Sequence, residues 1–353
     1  MKNLNKIFTK GLLASVVASA ACVANANIVT SVKPLGFIAS SIADGVTETE
    51  IIVPPGASPH DYSLKPTDVK KLKSADLLLW IGEDVDSFLE KSLSSVDNKK
   101  VITIADLPGI EPLLGKAAHH HHDDHDHGHD HDHGHDHDHG HDHDHGHDHD
   151  HDHGHDHEHA HNHADAHEHH HDHEHEHDEN GLSTNWHVWY SPAISKVIAQ
   201  KLADKLTEQY PAKKELVAKN LADFNRTLDE QGEKIKAQLA PVKEKGFYVF
   251  HDAYGYFNDA YGLKQTGYFT INPLVAPGAK TLATIKEEIE EHKVACLFAE
   301  PQFTPKVIET LSKGTGVHVG HLDPIGDKVK LGKGSYANFL QSTADSYSEC
   351  LAK

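Results

Sequence analysis

Two hydrophobic periods take turns along this chain. Short β-branched or leucine-rich runs, IVTSV from Ile28, EIIVP from Glu50, DLLLWIG from Asp76 and VITIA from Val101, are separated by stretches of helical spacing such as Phe37 to Ala43 and Pro66 to Ser74. Alternation of this kind predicts a mainly parallel sheet with helices on its faces. After Gly246 it resumes: FYVF, a helix from Ala253 to Ala260, GYF, a helix from Leu282 to His292, ACLFAEP, a helix from Pro305 to Leu311, VHVGHLDP, and a last helix from Tyr336 to Leu351. Between the halves lies a helix from Pro192 to about Glu208. Next comes a Pro-free stretch from Pro211 to Pro241, where Val217, Leu221, Phe224, Leu228, Ile235 and Leu239 recur at spacings of three, four or seven. That is one apolar stripe on one helix, about 44 Å long at 1.5 Å per residue, too long for an ordinary crossover and too few heptads for a coiled coil.

The pattern therefore predicts an α/β protein of two lobes: residues 27–210, a linker helix over 211–241, and residues 242–353, with a cleft between the lobes. Outside the first 26 residues and the tract described next, 266 residues remain. That allows two domains of about 130 residues, each able to bury its own core.

The first lobe is interrupted from His119 to Glu179, where histidine alternates with aspartate or glutamate and a glycine falls every six residues or so. This tract holds 31 of the 37 histidines and 21 acidic residues, with no Lys or Arg. The formal charge of −21 comes from 33 basic against 54 acidic residues; without the tract the two are equal. Lacking Leu, Ile, Val and Phe, the tract has nothing apolar to bury against the entropy of ordering, and is expected to be disordered. A solubilising acidic spacer is one reading. Imidazole adds no charge at neutral pH and binds metals, so the density of histidine favours many weak sites for a borderline metal such as zinc, beginning at His119, His120, His121, His122, His125, His127, His129, His131, His133 and His135. Nickel and copper suit the same donors.

Met1 to Ala26 reads as a secretory signal: Lys2, Lys6 and Lys10 precede a small apolar run that ends in Ala24-Asn25-Ala26. A lipoprotein site at Cys22 competes, but Ser19 stands where that motif wants leucine. No other run approaches the ~20 apolar residues of a membrane span. Cleavage after Ala26 leaves Cys296 and Cys350, an even pair that in an exported chain suggests a disulfide between a strand and the last helix.

Six histidines lie outside the tract: His60, His187, His251, His292, His318 and His321. His60 follows the strand EIIVP and His251 follows FYVF, so both sit beyond strand ends, where ligands bind in open α/β sheets; His187 precedes the helix at Pro192. Three neutral imidazoles suit a tetrahedral zinc site with one open position, although any one of them taken singly fits an ordinary loop histidine. His292 closes a helix, where a cation suits the dipole. His318 and His321 are candidates for a secondary site. Glu300 faces the cleft as a hydrogen-bonding scaffold, and Trp186, Trp189, Tyr254 and Tyr256 are expected to form a dry surround.

GASPHDYSLKPTDVKKLKSADLLLWIG, NWHVWYSP, FHDAYGYF, INPLVAPGAKTL, FAEPQF, and LDPIG with LGKGSYANFL together resemble the zinc-specific solute-binding proteins of bacterial ABC importers, a class of two lobes joined by one long helix. The likeness runs from Ile28 nearly to the C-terminus and includes an acidic, His-rich insertion at the same place. It implies a periplasmic monomer that captures Zn(II) and passes it to a membrane permease driven by an ATPase. It also implies a ligand set of His60, His187, His251 and, as the carboxylate position, Asp323. Some zinc members carry Glu before the first histidine where this chain has Pro59, so the fourth ligand is either Asp323 or water. A turn aspartate ahead of Pro324 is the other reading of Asp323.

Three histidines with an open position also describe a zinc hydrolase. Outside the His-rich tract the sequence carries no H-E-x-x-H, and nowhere a G-x-S-x-G, which argues against an enzyme. A periplasmic store or chaperone using the tract alone, and an importer for nickel or manganese, are the remaining alternatives. No basic patch points to nucleic acid.

Overall fold

The computed structural model describes residues 27–115, 184–303 and 306–353. The signal-like segment and the His-rich tract lie outside them. Eight strands form two four-stranded parallel sheets. The first contains β1 (Asn27–Thr30), β2 (Glu48–Ile51), β3 (Leu77–Trp80) and β4 (Val101–Thr103) in the order β2-β1-β3-β4. The second contains β5 (Phe247–His251), β6 (Gly267–Thr270), β7 (Cys296–Ala299) and β8 (His318–His321) in the order β6-β5-β7-β8. The two orders are the same, so the second lobe repeats the first. Helices α1 (Lys33–Ile42), α2 (Pro66–Ser74) and α3 (Glu83–Leu93) belong to the first lobe, and α6 (Gly255–Tyr261), α7 (Ala279–Glu290) and α8 (Lys306–Thr315) to the second.

α4 (Pro192–Gln209) starts with Pro at its first position, where a missing N–H costs nothing, and with the Ser191 side chain accepting from Ile194 N at 3.2 Å. α5 (Lys214–Leu239) is the expected linker helix. Its 26 residues span about 39 Å, slightly less than the full Pro-to-Pro interval, because the prolines at both ends force tighter 3₁₀ turns over Pro211–Lys213 and Ala240–Val242. At its start the buried Asn220 donates to Ile42 O (3.0 Å) and Asp44 O (2.8 Å); near its end Gln238 donates to Asp345 and Ser348.

Each lobe buries an apolar cluster of its own, around Val29, Leu78 and Leu89 in the first and around Phe250, Leu297 and Ile308 in the second. A third, larger cluster runs through both lobes, from Ile28 to Leu351. The reason is α9 (Ser335–Leu351), which the sequence reading placed in the second lobe alone. Its first turn returns to the first lobe: Ser335 Oγ donates to Phe37 O, and Phe339 lies 5.3 Å from the Phe37 ring and 5.1 Å from Tyr190. Its last turn is tied to β7 by the Cys296–Cys350 disulfide. Two helices, α5 and α9, therefore bridge the lobes.

Candidate metal site

The second sheet reverses its direction of growth between β5 and β7, which opens a crevice at the carboxyl ends of these strands. His251 is the last residue of β5 and Glu300 the first beyond β7, each only 2% exposed. His251 Nδ1 lies 2.7 Å from both Glu300 oxygens, and the Tyr254 hydroxyl donates to Oε1 at 3.0 Å. With Nδ1 donating to the carboxylate, Nε2 is the ring nitrogen that faces the cleft. The corresponding crevice of the first sheet, between β1 and β3, is plugged by Asp86, whose Oδ2 accepts from Ser31 Oγ and Ile81 N, both at 2.7 Å.

His187 is oriented by Asn185. The Asn185 side-chain oxygen accepts from His187 N at 3.0 Å and lies 2.9 Å from His187 Nδ1. A backbone N–H can only donate, so the facing atom is the oxygen and Nδ1 must carry the ring proton. His187 Nε2 is then a bare lone pair, and it lies 3.3 Å from His251 Nε2.

His60 comes from the first lobe, in a one-turn 3₁₀ helix, Pro59–Asp61, capped by Ser58 Oγ, which accepts from His60 N at 3.3 Å. Its ring centroid is 5.6 Å from those of both His187 and His251. The three imidazoles offer one ligand atom each within 4.8 Å of one another, the one group with such spacing among the described residues. Burial, reinforced by the neighbouring His251, pushes His60 down to about 4; burial first, then His251 and His60, holds His187 well below the usual imidazole range. Both rings are therefore neutral, as ligation requires. The cavity between them is about 10 Å³, bounded by Trp189, Phe303, Pro324 and Ile325. It has room for one ion or water molecule and not for an organic substrate.

Asp323 is not brought into this group. Its Oδ1 accepts from Ile325 N (3.2 Å), Gly326 N (3.0 Å) and Gln302 Nε2 (3.0 Å), and its Oδ2 from Asp327 N (2.6 Å). These bonds make it the turn aspartate ahead of Pro324. Of the expected aromatic surround, Trp189 and Tyr254 are present, 5.2 Å from His187 and 6.4 Å from His251. Trp186 is half-buried against the core, and Tyr256 donates instead to Asn185 O at 2.6 Å. His318 and His321 end β8 on the surface, and His292 follows the end of α7 with φ 59°. Asn185 was missed by the sequence reading. Its signal was the Asn two positions before a histidine, the spacing of an Asx turn.

Two parallel-sheet lobes bridged by a long helix, with an ion-sized imidazole cluster at the strand ends, define a helix-bridged metal receptor. The family model described as ZnuA, zinc-uptake complex component A periplasmic, matches residues 28–350, and this chain belongs to that family. A Haemophilus influenzae protein called high-affinity zinc uptake system protein ZnuA is 73% identical over 353 residues, 100% of both chains. A Yersinia pestis protein of the same name is 42% identical over 362 residues, covering 99% of this chain and 100% of that one. Among solved structures, a crystal structure of ZnuA matches with TM-score 0.65 and 20% identity, over 92% of this chain and 99% of that one. The periplasmic zinc-binding protein TroA of Treponema pallidum matches with TM-score 0.66 and 16% identity, over 93% and 100%. Both share the fold. No described helix is long and apolar enough to cross a membrane.

Proposed function

We propose that this chain captures Zn(II) in the periplasm, holds it between His60, His187 and His251, and delivers it to an ABC permease and its ATPase. The observation that carries the reading is the 3.3 Å separation of the two Nε2 atoms of His187 and His251, each ring held from behind through its Nδ1. In a tetrahedral zinc site with bonds of 2.0–2.1 Å, ligand nitrogens lie about 3.3–3.4 Å apart, so the pair is spaced as one edge of such a site. Three imidazoles favour zinc over manganese, which prefers carboxylates and water. Water completes the site, and Asp323 enters only by giving up its turn. The names of the relatives support zinc as the cargo, and the family supports the uptake partners.

In this reading Met1 to Ala26 is removed on export and the mature chain acts as a monomer. The His-rich tract is a low-affinity collector, raising the supply of zinc through many fast-exchanging sites. The cavity is too small for a hydrolase substrate, which argues against an enzyme. The test is zinc titration against a calibrated chelator, using the mature protein, a version lacking residues 119–177, and that version with His60→Ala. One tight equivalent should survive the deletion and vanish with the alanine. If tight binding leaves with the tract, the protein is a metal store and the cleft has another use.

A further inference from the structure

Two of the three imidazoles are backed by different chemistry. Behind His251 stands a carboxylate, Glu300, at 2.7 Å; behind His187 stands a neutral amide, Asn185, at 2.9 Å. Asn185 is itself pinned: its N donates to Gly115 O at 3.0 Å, its carbonyl accepts from Tyr256, and its Nδ2 donates to Asp252 O at 3.4 Å. A carboxylate behind an imidazole raises its donor strength and offsets the charge of a bound cation, whereas an amide orients the ring and adds no charge.

We propose that Asn185 is a positioning residue that holds His187 in the Nδ1–H tautomer and, by being uncharged, makes His187 the weaker buried ligand, the one through which the cation is released. This rests on reading the trio as the zinc site. One carboxylate behind a buried dication leaves net positive charge, which keeps the site from holding its cargo too firmly. A second carboxylate in place of Asn185 would cancel that charge while keeping the acceptor.

The test uses the full-length protein with free zinc set by a chelator buffer, so that uptake by the tract does not alter it. Trp189, whose ring lies 5.2 Å from His187, reports the cleft by fluorescence. Release is followed by stopped flow into excess chelator. Asn185→Leu, which removes the acceptor, should raise Kd about 10–100-fold, the usual effect of losing an outer-shell partner. Asn185→Asp should lower Kd and slow release by about tenfold, within the same range. A purely structural role would weaken binding in both variants, and that result, or no change in either, overturns the proposal. Persistence of the zinc-dependent fluorescence change in His187→Ala would instead overturn the zinc-site reading on which it rests.

Discussion

His251 presents its Nδ1 at 2.7 Å to each oxygen of Glu300, a residue 49 positions away that the sheet brings beside it by setting β5 against β7. The carboxylate fixes which nitrogen faces the cleft. Glu300→Gln keeps the size and removes the charge, and should weaken zinc binding about 10–100-fold while the fold remains. Chelator competition together with the melting temperature separates these effects; unchanged affinity would remove Glu300 from the site.

Acid should reach His60 later than it reaches an ordinary histidine ligand. Burial keeps His60 neutral down to about 4. Proton competition at this ligand therefore begins near there and not near ~6.5, the value of a free imidazole. The slope of zinc affinity between pH 7.5 and 5.5 is therefore expected to be the same in the parent protein and in His60→Gln; a shallower slope in the variant would show that His60 takes up a proton in this range.

The same shift costs stability in the metal-free protein. Because the folded value lies below the unfolded one, the unfolded chain binds the extra proton, so stability is intact above about 6.5 and declines as pH falls toward the folded value. Urea midpoints measured across this range should show a smaller decline in His60→Gln.

Asp86 works with the opposite sign. Burial, opposed by hydrogen bonds from Ile81 N and Ser31, pushes its carboxyl up to about 6. Here the folded state binds the extra proton, so the penalty is present above about pH 6 and is relieved as pH falls toward the unfolded value near ~3.9. Its Oδ1 has no hydrogen-bond partner, so Asp86→Asn should raise the melting temperature at pH 7.5 and gain less at pH 4.5. A lower melting temperature at pH 7.5 would show that the carboxylate is needed where it is.

The Cys296–Cys350 bond closes a separation of 54 residues and anchors α9, the helix that returns to the first lobe. Replacing both cysteines by serine should cost about 2–4 kcal/mol in denaturant unfolding. Zinc affinity should change less than tenfold, since neither residue touches the imidazoles. A large loss of affinity with little loss of stability would give the bond a different role.

Gly326 has φ +65°, and a Cβ there would lie 2.7 Å from Phe339 and 2.8 Å from Phe37. Gly326→Ala should destabilise by about 2–4 kcal/mol, from the left-handed backbone and the overpacked junction together. Thermal melting checks this. A neutral result would mean that the α1–α9 junction yields easily.

Local pattern was enough to find the strands, most of the helices and the long connector, because each follows from the spacing of apolar residues with prolines as punctuation. It was enough for the His-rich tract, whose composition is unmistakable. It also marked His60 and His251, because residues just past strand ends face a common crevice. The Cys296–Cys350 pairing followed from cysteine arithmetic, and Glu300 was recognisable as a scaffold from its place after a strand.

Other features depend on contacts between distant parts of the chain, which no local pattern carries. Only packing showed that α9 turns back to place Phe339 between Phe37 and Tyr190 and carries one apolar cluster through both lobes. Only the folded turn showed that the Asp323 carboxylate is taken up by three backbone N–H groups and Gln302. The sequence by itself determined which side chains are able to carry metal chemistry, because that is a property of side-chain type. Tertiary structure decided which nitrogens face one another, because tautomer and aim are set by Asn185 and Glu300, partners that act through position in space.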